Sequence, residues 1–190
     1  MRKLIGIFLF LGFAMVSFGQ DRGIGIRLGA PMGITYKRYL PRNKAVEFGL
    51  GTLTNGWYNH YYENSFNDFD RFEGYDYVSH RVRSTLYLQG RYLLHNDIHI
   101  EGMMGKLEWY WGLGGLIKFG NVEYNYRVNG VPGKDVRTDF DFGPEGIIGM
   151  EYTFEDVPLT IFGEFSLMIE ILDRPGILRG LSGAGVRYNF

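Results

Sequence analysis

The 190-residue sequence predicts an all-β protein: an eight-stranded antiparallel transmembrane β-barrel behind a cleavable N-terminal signal peptide. Three observations carry this. Residues 1–19 have the makeup of a secretory leader, and the rest of the chain alternates at the two-residue period of a strand over eight runs. The two faces of those runs differ in kind, one apolar and aromatic, the other charged and rich in glycine.

Met1-Arg2-Lys3 supplies a positive head, Leu4 to Val16 an apolar stretch of thirteen residues, and Ser17-Phe18-Gly19 the small residues that a signal peptidase reads. A spanning helix would need roughly 20 apolar residues. The expected organisation is therefore a leader over 1–19 and a barrel over 20–190. Without Arg2 and Lys3 the chain keeps 18 basic against 21 acidic residues, a balance with no field for gripping nucleic acid. Cysteine is absent, which excludes disulfides, thiolate metal sites, cysteine nucleophiles and a cysteine-linked lipid anchor.

The runs lie near 22–29, 33–40, 45–53, 81–94, 107–119, 138–154, 159–168 and 181–190. In the first, Ile24, Ile26 and Leu28 alternate with Gly25 and Arg27. The second sets Ile34, Tyr36, Arg38 and Leu40 against Thr35 and Lys37; the third sets Val46, Phe48 and Leu50 against Glu47 and two glycines. Run four opposes Leu86, Leu88 and Tyr92 to Arg83, Thr85, Gln89 and Arg91, and run five Trp109, Trp111, Leu113, Ile117 and Phe119 to Gly112, Gly114 and Lys118. Run six sets Phe140, Phe142, Ile148, Met150 and Tyr152 against Asp139, Asp141, Glu145, Gly149 and Glu151. Run seven sets Leu159, Ile161, Phe165 and Leu167 against Glu164 and Ser166, and run eight Val186, Tyr188 and Phe190 against Gly183, Gly185 and Arg187. Arg38 is the lone charge on the apolar face, near a run end where it can snorkel. Pro144 lacks an N–H, so a bulge or break is expected beside Gly143. The segment 96–106 has room for a helical turn.

Alternation alone does not say which face looks outward. A soluble lipocalin-like carrier would turn the charged face to water, whereas a membrane barrel turns it inward. Connection lengths favour the second: the even-numbered connections are 41–44, 95–106 and 155–158, the odd-numbered ones 30–32, 54–80, 120–137 and 169–180, and apart from the first the odd ones are long, the parity of a barrel with short periplasmic turns and long external loops. The aromatics Tyr92, Trp109, Tyr152, Phe154, Tyr188 and Phe190 fall at the proposed periplasmic end, with Phe119, Phe140, Phe142 and Phe165 at the other, as interfacial girdles.

The C-terminal Gly185-Val186-Arg187-Tyr188-Asn189-Phe190 resembles the signal by which the outer-membrane assembly machinery recognises its clients. The run from Trp109 to Gly115, together with that from Gly146 to Phe154, resembles the small outer-membrane β-barrels common in Bacteroidetes, relatives in shape of OmpA and OmpX. The resemblance implies an outer-membrane location, with lipid and the assembly machinery as partners. It transfers no activity.

On the inner face Arg27, Lys37, Arg83, Arg91, Lys118 and Arg187 match Glu47, Asp139, Asp141, Glu145, Glu151 and Glu164 in number, which predicts internal ion pairs and a filled, structural core. Glu145 and Glu151 are expected to be pair partners rather than an acid and a base. No cofactor, metal or catalytic residue is expected: Asp68, Asp70 and Asp76 accompany His60 and His80 in or beside the longest loop, but without a spacing that demands chemistry, and neither do His95 and His99 form a metal pair. The loop 54–80 holds Trp57, Tyr58, Tyr61, Tyr62, Phe66, Phe69, Phe72 and Tyr75 among acidic residues, the composition of an external surface for an unknown ligand. The other reading is that the strands extend above the membrane and these rings pack on one another. Asn67-Asp68-Phe69-Asp70 matches a Ca²⁺ loop weakly. The expected role is structural or surface interaction without catalysis; the alternatives are a narrow transport barrel, a rim hydrolase using His60 or His80, and the lipocalin-like carrier.

Overall fold

Alternating sequence forms strands here because each pleat sends successive side chains to opposite faces, and closure then separates those faces into lumen and exterior. The computed structural model describes residues 21–52, 63, 66, 74–172 and 175–190, and the side chains of 82–84 and 139 lie outside that description, as does the segment 1–19 expected to be a leader. The strands are β1 (Arg22–Gly29), β2 (Met32–Leu40), β3 (Lys44–Thr52), β4 (Asp76–Ile98), β5 (Lys106–Val128), β6 (Val131–Thr153), β7 (Leu159–Ile169) and β8 (Leu178–Asn189). Each pairs antiparallel with the next, and β8 pairs with β1 from Gly23↔Asn189 to Gly29↔Gly183, so the ring is closed.

Closure puts the apolar face outside. Ile26, Leu28, Leu113, Ile148, Met150 and Phe165 are exposed, while Arg27, Lys37, Glu47, Arg91, Lys118, Asp141, Glu145, Glu151 and Arg187 are buried. That is the organisation of a transmembrane barrel and the reverse of what a soluble carrier requires. Tyr92, Trp109, Phe154 and Tyr188 stand exposed near the end where β1 starts and β8 finishes, and Phe119 packs on its cross-strand neighbour Phe140 towards the other end with centroids 4.9 Å apart. Arg38 sits at the first of these ends, where its Nε lies 4.0 Å from an Asp21 carboxylate oxygen.

One expectation is narrowed and three are corrected. First, of the bulge or break expected at Pro144, the structure has the break and not the bulge. The β5–β6 ladder runs through Gly115↔Pro144 without a shift, and the β6–β7 ladder begins one residue later at Glu145↔Met168. Beyond the proline, the Ile171 N–H donates to the Phe142 carbonyl at 3.0 Å in the same register, so the ring costs a local gap instead of a bulge. Second, the register does shift, but in β4, between Tyr77 and Ser79 and between Val82 and Ser84; position 83 is the inserted residue of the second shift. Third, 120–137 is not a long loop. β5 and β6 pair without interruption to Val128↔Val131, turning on Asn129 and Gly130, both at positive φ. An Asn-Gly pair suits a two-residue hairpin because both central residues need positive φ, and this dipeptide was the unread signal. Fourth, 96–106 holds strand ends and a turn at Glu101–Gly102, with no helical turn.

β4, β5 and β6 therefore each run 23 residues, against 8 or 9 for β1, β2 and β3. About 9–11 residues suffice to cross a bilayer. The remainder of the three long strands rises beyond the barrel as a three-stranded blade.

Candidate functional site

The inward charges form ranks along the lumen. At the centre, Arg91 Nε donates to Glu145 Oε1 at 2.7 Å, and its Nη1 reaches Glu164 Oε1 at 2.7 Å and Glu47 Oε1 at 3.1 Å. Arg27 reaches the same Glu164 oxygen at 2.6 Å and donates to the Tyr87 hydroxyl, the Gln89 side-chain carbonyl and the Pro31 carbonyl. Gln89 in turn donates to Glu145 at 2.7 Å.

One rank nearer the chain ends, Arg187 Nη2 donates to Glu47 at 2.5 Å, and Lys37 Nζ donates to Glu151 Oε2 at 2.7 Å. The Lys37 ammonium also lies 4.2 Å from the centre of the Tyr110 ring. Towards the blade, Lys118 and Arg179 share Asp141, and Arg179 also holds Glu170. Glycines on the inner face make room for this filling: a β-carbon at position 149 would sit against the Tyr110 ring, and one at 114 against the Arg91 stem. The ranks are thus built from adjacent-strand neighbours such as Glu47↔Arg91 and from pairs spanning the lumen, such as β2 Lys37 with β6 Glu151.

Of the ten residues singled out for an internal network, nine are brought together in this way: Arg27, Lys37, Glu47, Arg91, Lys118, Glu145, Glu151, Glu164 and Arg187. The Arg83 side chain lies outside the described residues, as does that of Asp139. Four lumen residues escaped the sequence reading, namely His95, Glu108, Glu170 and Arg179, all buried. His95, Glu170 and Arg179 continue the inner parity of their strands one or two residues past the run ends assigned from the sequence, whereas Glu108 lies inside the run 107–119, on the same parity as Gly112 and Gly114, and parity alone would have found it.

The blade carries an aromatic cluster. Phe66, expected on an external recognition surface, is instead fully buried, with ring centroids 5.5 Å from Tyr77 and Tyr124 and 6.1 Å from Tyr126. Its ring covers apolar area between strands, where burial outweighs any use as a contact. Tyr75 is half-buried and stacks on Tyr126 at 5.1 Å. Trp57, Tyr58, Tyr61, Tyr62, Phe69 and Phe72 lie outside the described residues, together with His60 and the Asn67-Asp68-Phe69-Asp70 segment.

His80, on the blade, has its Nδ1 2.6 Å from the Tyr77 hydroxyl. Burial lowers the His80 pKa against an opposing pull from Glu63, and burial raises that of Tyr77, so the contact joins two groups whose neutral forms are favoured. Ser79 accepts a hydrogen bond from Asn125 at 3.1 Å, on another part of the blade. Adjacent strand residues diverge in this way, and Ser79 with His80 makes no nucleophile and base.

No family model matches this sequence, and no curated protein does. Two solved barrels are similar in structure. The N-terminal β-barrel domain of Pseudomonas aeruginosa OprF is 12% identical with a TM-score of 0.46, over 89% of this chain and 94% of that one. Neisserial surface protein A is 9% identical with a TM-score of 0.42, over 89% of this chain and 93% of that one.

Proposed function

We propose that the mature chain is an integral outer-membrane β-barrel protein with a structural or surface-interaction role and no catalysis. The observation that carries this reading is the inversion of faces: a closed ring with its apolar side outward and paired charges within. The aromatic residues near both rims support embedding in lipid, and the blade supports contact beyond it. The last strand, ending at Phe190 and sealing the ring against β1, supports recognition by the outer-membrane assembly machinery. Kinship with Bacteroidetes-type barrels rests on that strand and the glycine and aromatic runs of β5 and β6.

Fractionation tests this directly. The mature protein is expected in outer membranes, migrating differently on gels before and after boiling. Recovery as a soluble periplasmic protein with no such difference overturns the reading.

A filled lumen supports a structural role over transport. Arg27, Lys37, Asp141 and Arg187 leave no surface accessible to water, and Glu47 and Glu151 leave almost none, so three ranks of side chains occupy the cross-section. In planar lipid bilayers the purified protein is expected to give no stable conductance steps. A reproducible open state in wild-type protein would restore the narrow transport barrel.

A further inference from the structure

We propose that His95, Glu108 and Glu151 form a binding site for a divalent transition-metal ion, with zinc as the reference ion, at the end of the lumen where β1 starts and β8 finishes. The three side chains come from β4, β5 and β6, and one ligand atom of each lies within 4.8 Å of the others. His95 is the informative member. Its side chain is 2% exposed, yet neither ring nitrogen has a hydrogen-bond partner. A buried imidazole normally satisfies at least one nitrogen, so an aligned but unpartnered ring points to a missing ligand.

The spacing fits. His95 Nδ1 lies 3.6 Å from Glu108 Oε1 and 3.5 Å from Glu151 Oε1, too far for hydrogen bonds. Tetrahedral zinc with bonds of about 2.0–2.2 Å to nitrogen and oxygen holds neighbouring ligand atoms about 3.3–3.5 Å apart. Two edges of the site are therefore already close to the spacing a metal would impose. The ring is also fixed in place, stacked on Tyr110 at 5.1 Å with Tyr39 edge-on at 5.8 Å.

The surrounding groups allow the ion in. A cavity of about 410 Å³, lined in part by His95, Glu108, Lys106 and Asn43, leads to the site and leaves room for water as a fourth ligand. Glu108 is held by Lys106, but that lysine is half exposed and already lies 3.1 Å from Asp97, to which it can turn. On Glu151, Lys37 and Arg187 bind Oε2, whereas Oε1, the oxygen facing His95, accepts from the Tyr39 hydroxyl. Those two cations behind Glu151 compete with the ion for its charge and weaken the site. Glu108 and Glu151 would ligate as carboxylates and His95 as neutral imidazole.

The test uses the untagged mature chain, refolded in detergent micelles and titrated with zinc chloride by calorimetry. One equivalent bound with a micromolar dissociation constant is expected. A companion protein with His60, His80 and His99 all changed to Ala leaves His95 as the sole histidine, and should bind as wild type does. Cu(II) bound to that companion should show imidazole nitrogen by electron spin echo spectroscopy. His95→Ala and Glu108→Gln should each weaken zinc by at least about tenfold, since even outer-sphere changes cost 10–100-fold. No zinc binding by wild type, loss of binding in the companion, absence of imidazole coupling, or undiminished binding by a folded His95→Ala protein each overturns the site.

Discussion

Replacing Arg91 with Met is expected to lower the stability of the barrel by about 3–5 kcal/mol, the usual penalty for removing one partner of a buried pair. Arg91 is 1% exposed and is the shared donor to Glu47, Glu145 and Glu164. The three carboxylates are not equally dependent on it. Glu47 retains Arg187 and Glu164 retains Arg27, but Glu145 would keep only the Gln89 amide. A second change, Glu145→Gln, removes the stranded charge and should recover a substantial part of the loss. The urea midpoint of the heat-dependent gel shift, read for Arg91→Met and for the double variant, checks both. A single variant as stable as wild type would mean that water solvates the lumen carboxylates.

The second large effect separates lipid from water at the outer surface. Leu113 is 68% exposed on β5, and Val131, at the tip of the blade, is 66% exposed. By exposure alone the two are interchangeable. Leu113 lies on β5 between Trp109, towards one end of the barrel, and Phe119, towards the other, within the barrel wall. An arginine facing the bilayer midplane costs about 2–4 kcal/mol, falling to about 0–1 near an interface. Leu113→Arg should therefore lower folding stability in lipid vesicles by about that larger amount, while Val131→Arg leaves it unchanged. Equal, negligible effects of both substitutions would place the wall of the barrel in water.

Much of this architecture is legible because a barrel wall is a two-sided surface with opposite demands. Ile24, Ile26 and Leu28 fall outside and Arg27 inside by parity alone, and the same holds through β8. What parity does not report is where a strand stops. The inner residues at the ends, His95 at one mouth and Glu170 and Arg179 at the other, lie where apolar alternation fades because those pleats no longer face hydrocarbon. Phe66 misled for a related reason: a phenylalanine in a polar, aromatic stretch reads as an exposed contact when no partner strands are in view. Tyr77, Tyr124 and Tyr126, which cover it, are distant in sequence from one another or lie past the ends of the assigned runs. The β4 bulges leave no mark in composition, since an inserted Val78 or Arg83 looks like any strand residue.

The unequal strand lengths also bear on how the ring assembles. The β5–β6 hairpin joins residues close in sequence, starting from Val128↔Val131 around a turn whose residues favour it, and can zip outward from there with little loop entropy to overcome. The β1–β8 seam joins Gly23 to Asn189, positions on the first and the last strand of the ring. Contacts so remote in sequence are slow to form. The long central hairpin thus acts as a local nucleus, and the seam, whose partners are the most remote in sequence, is the natural final step of closure.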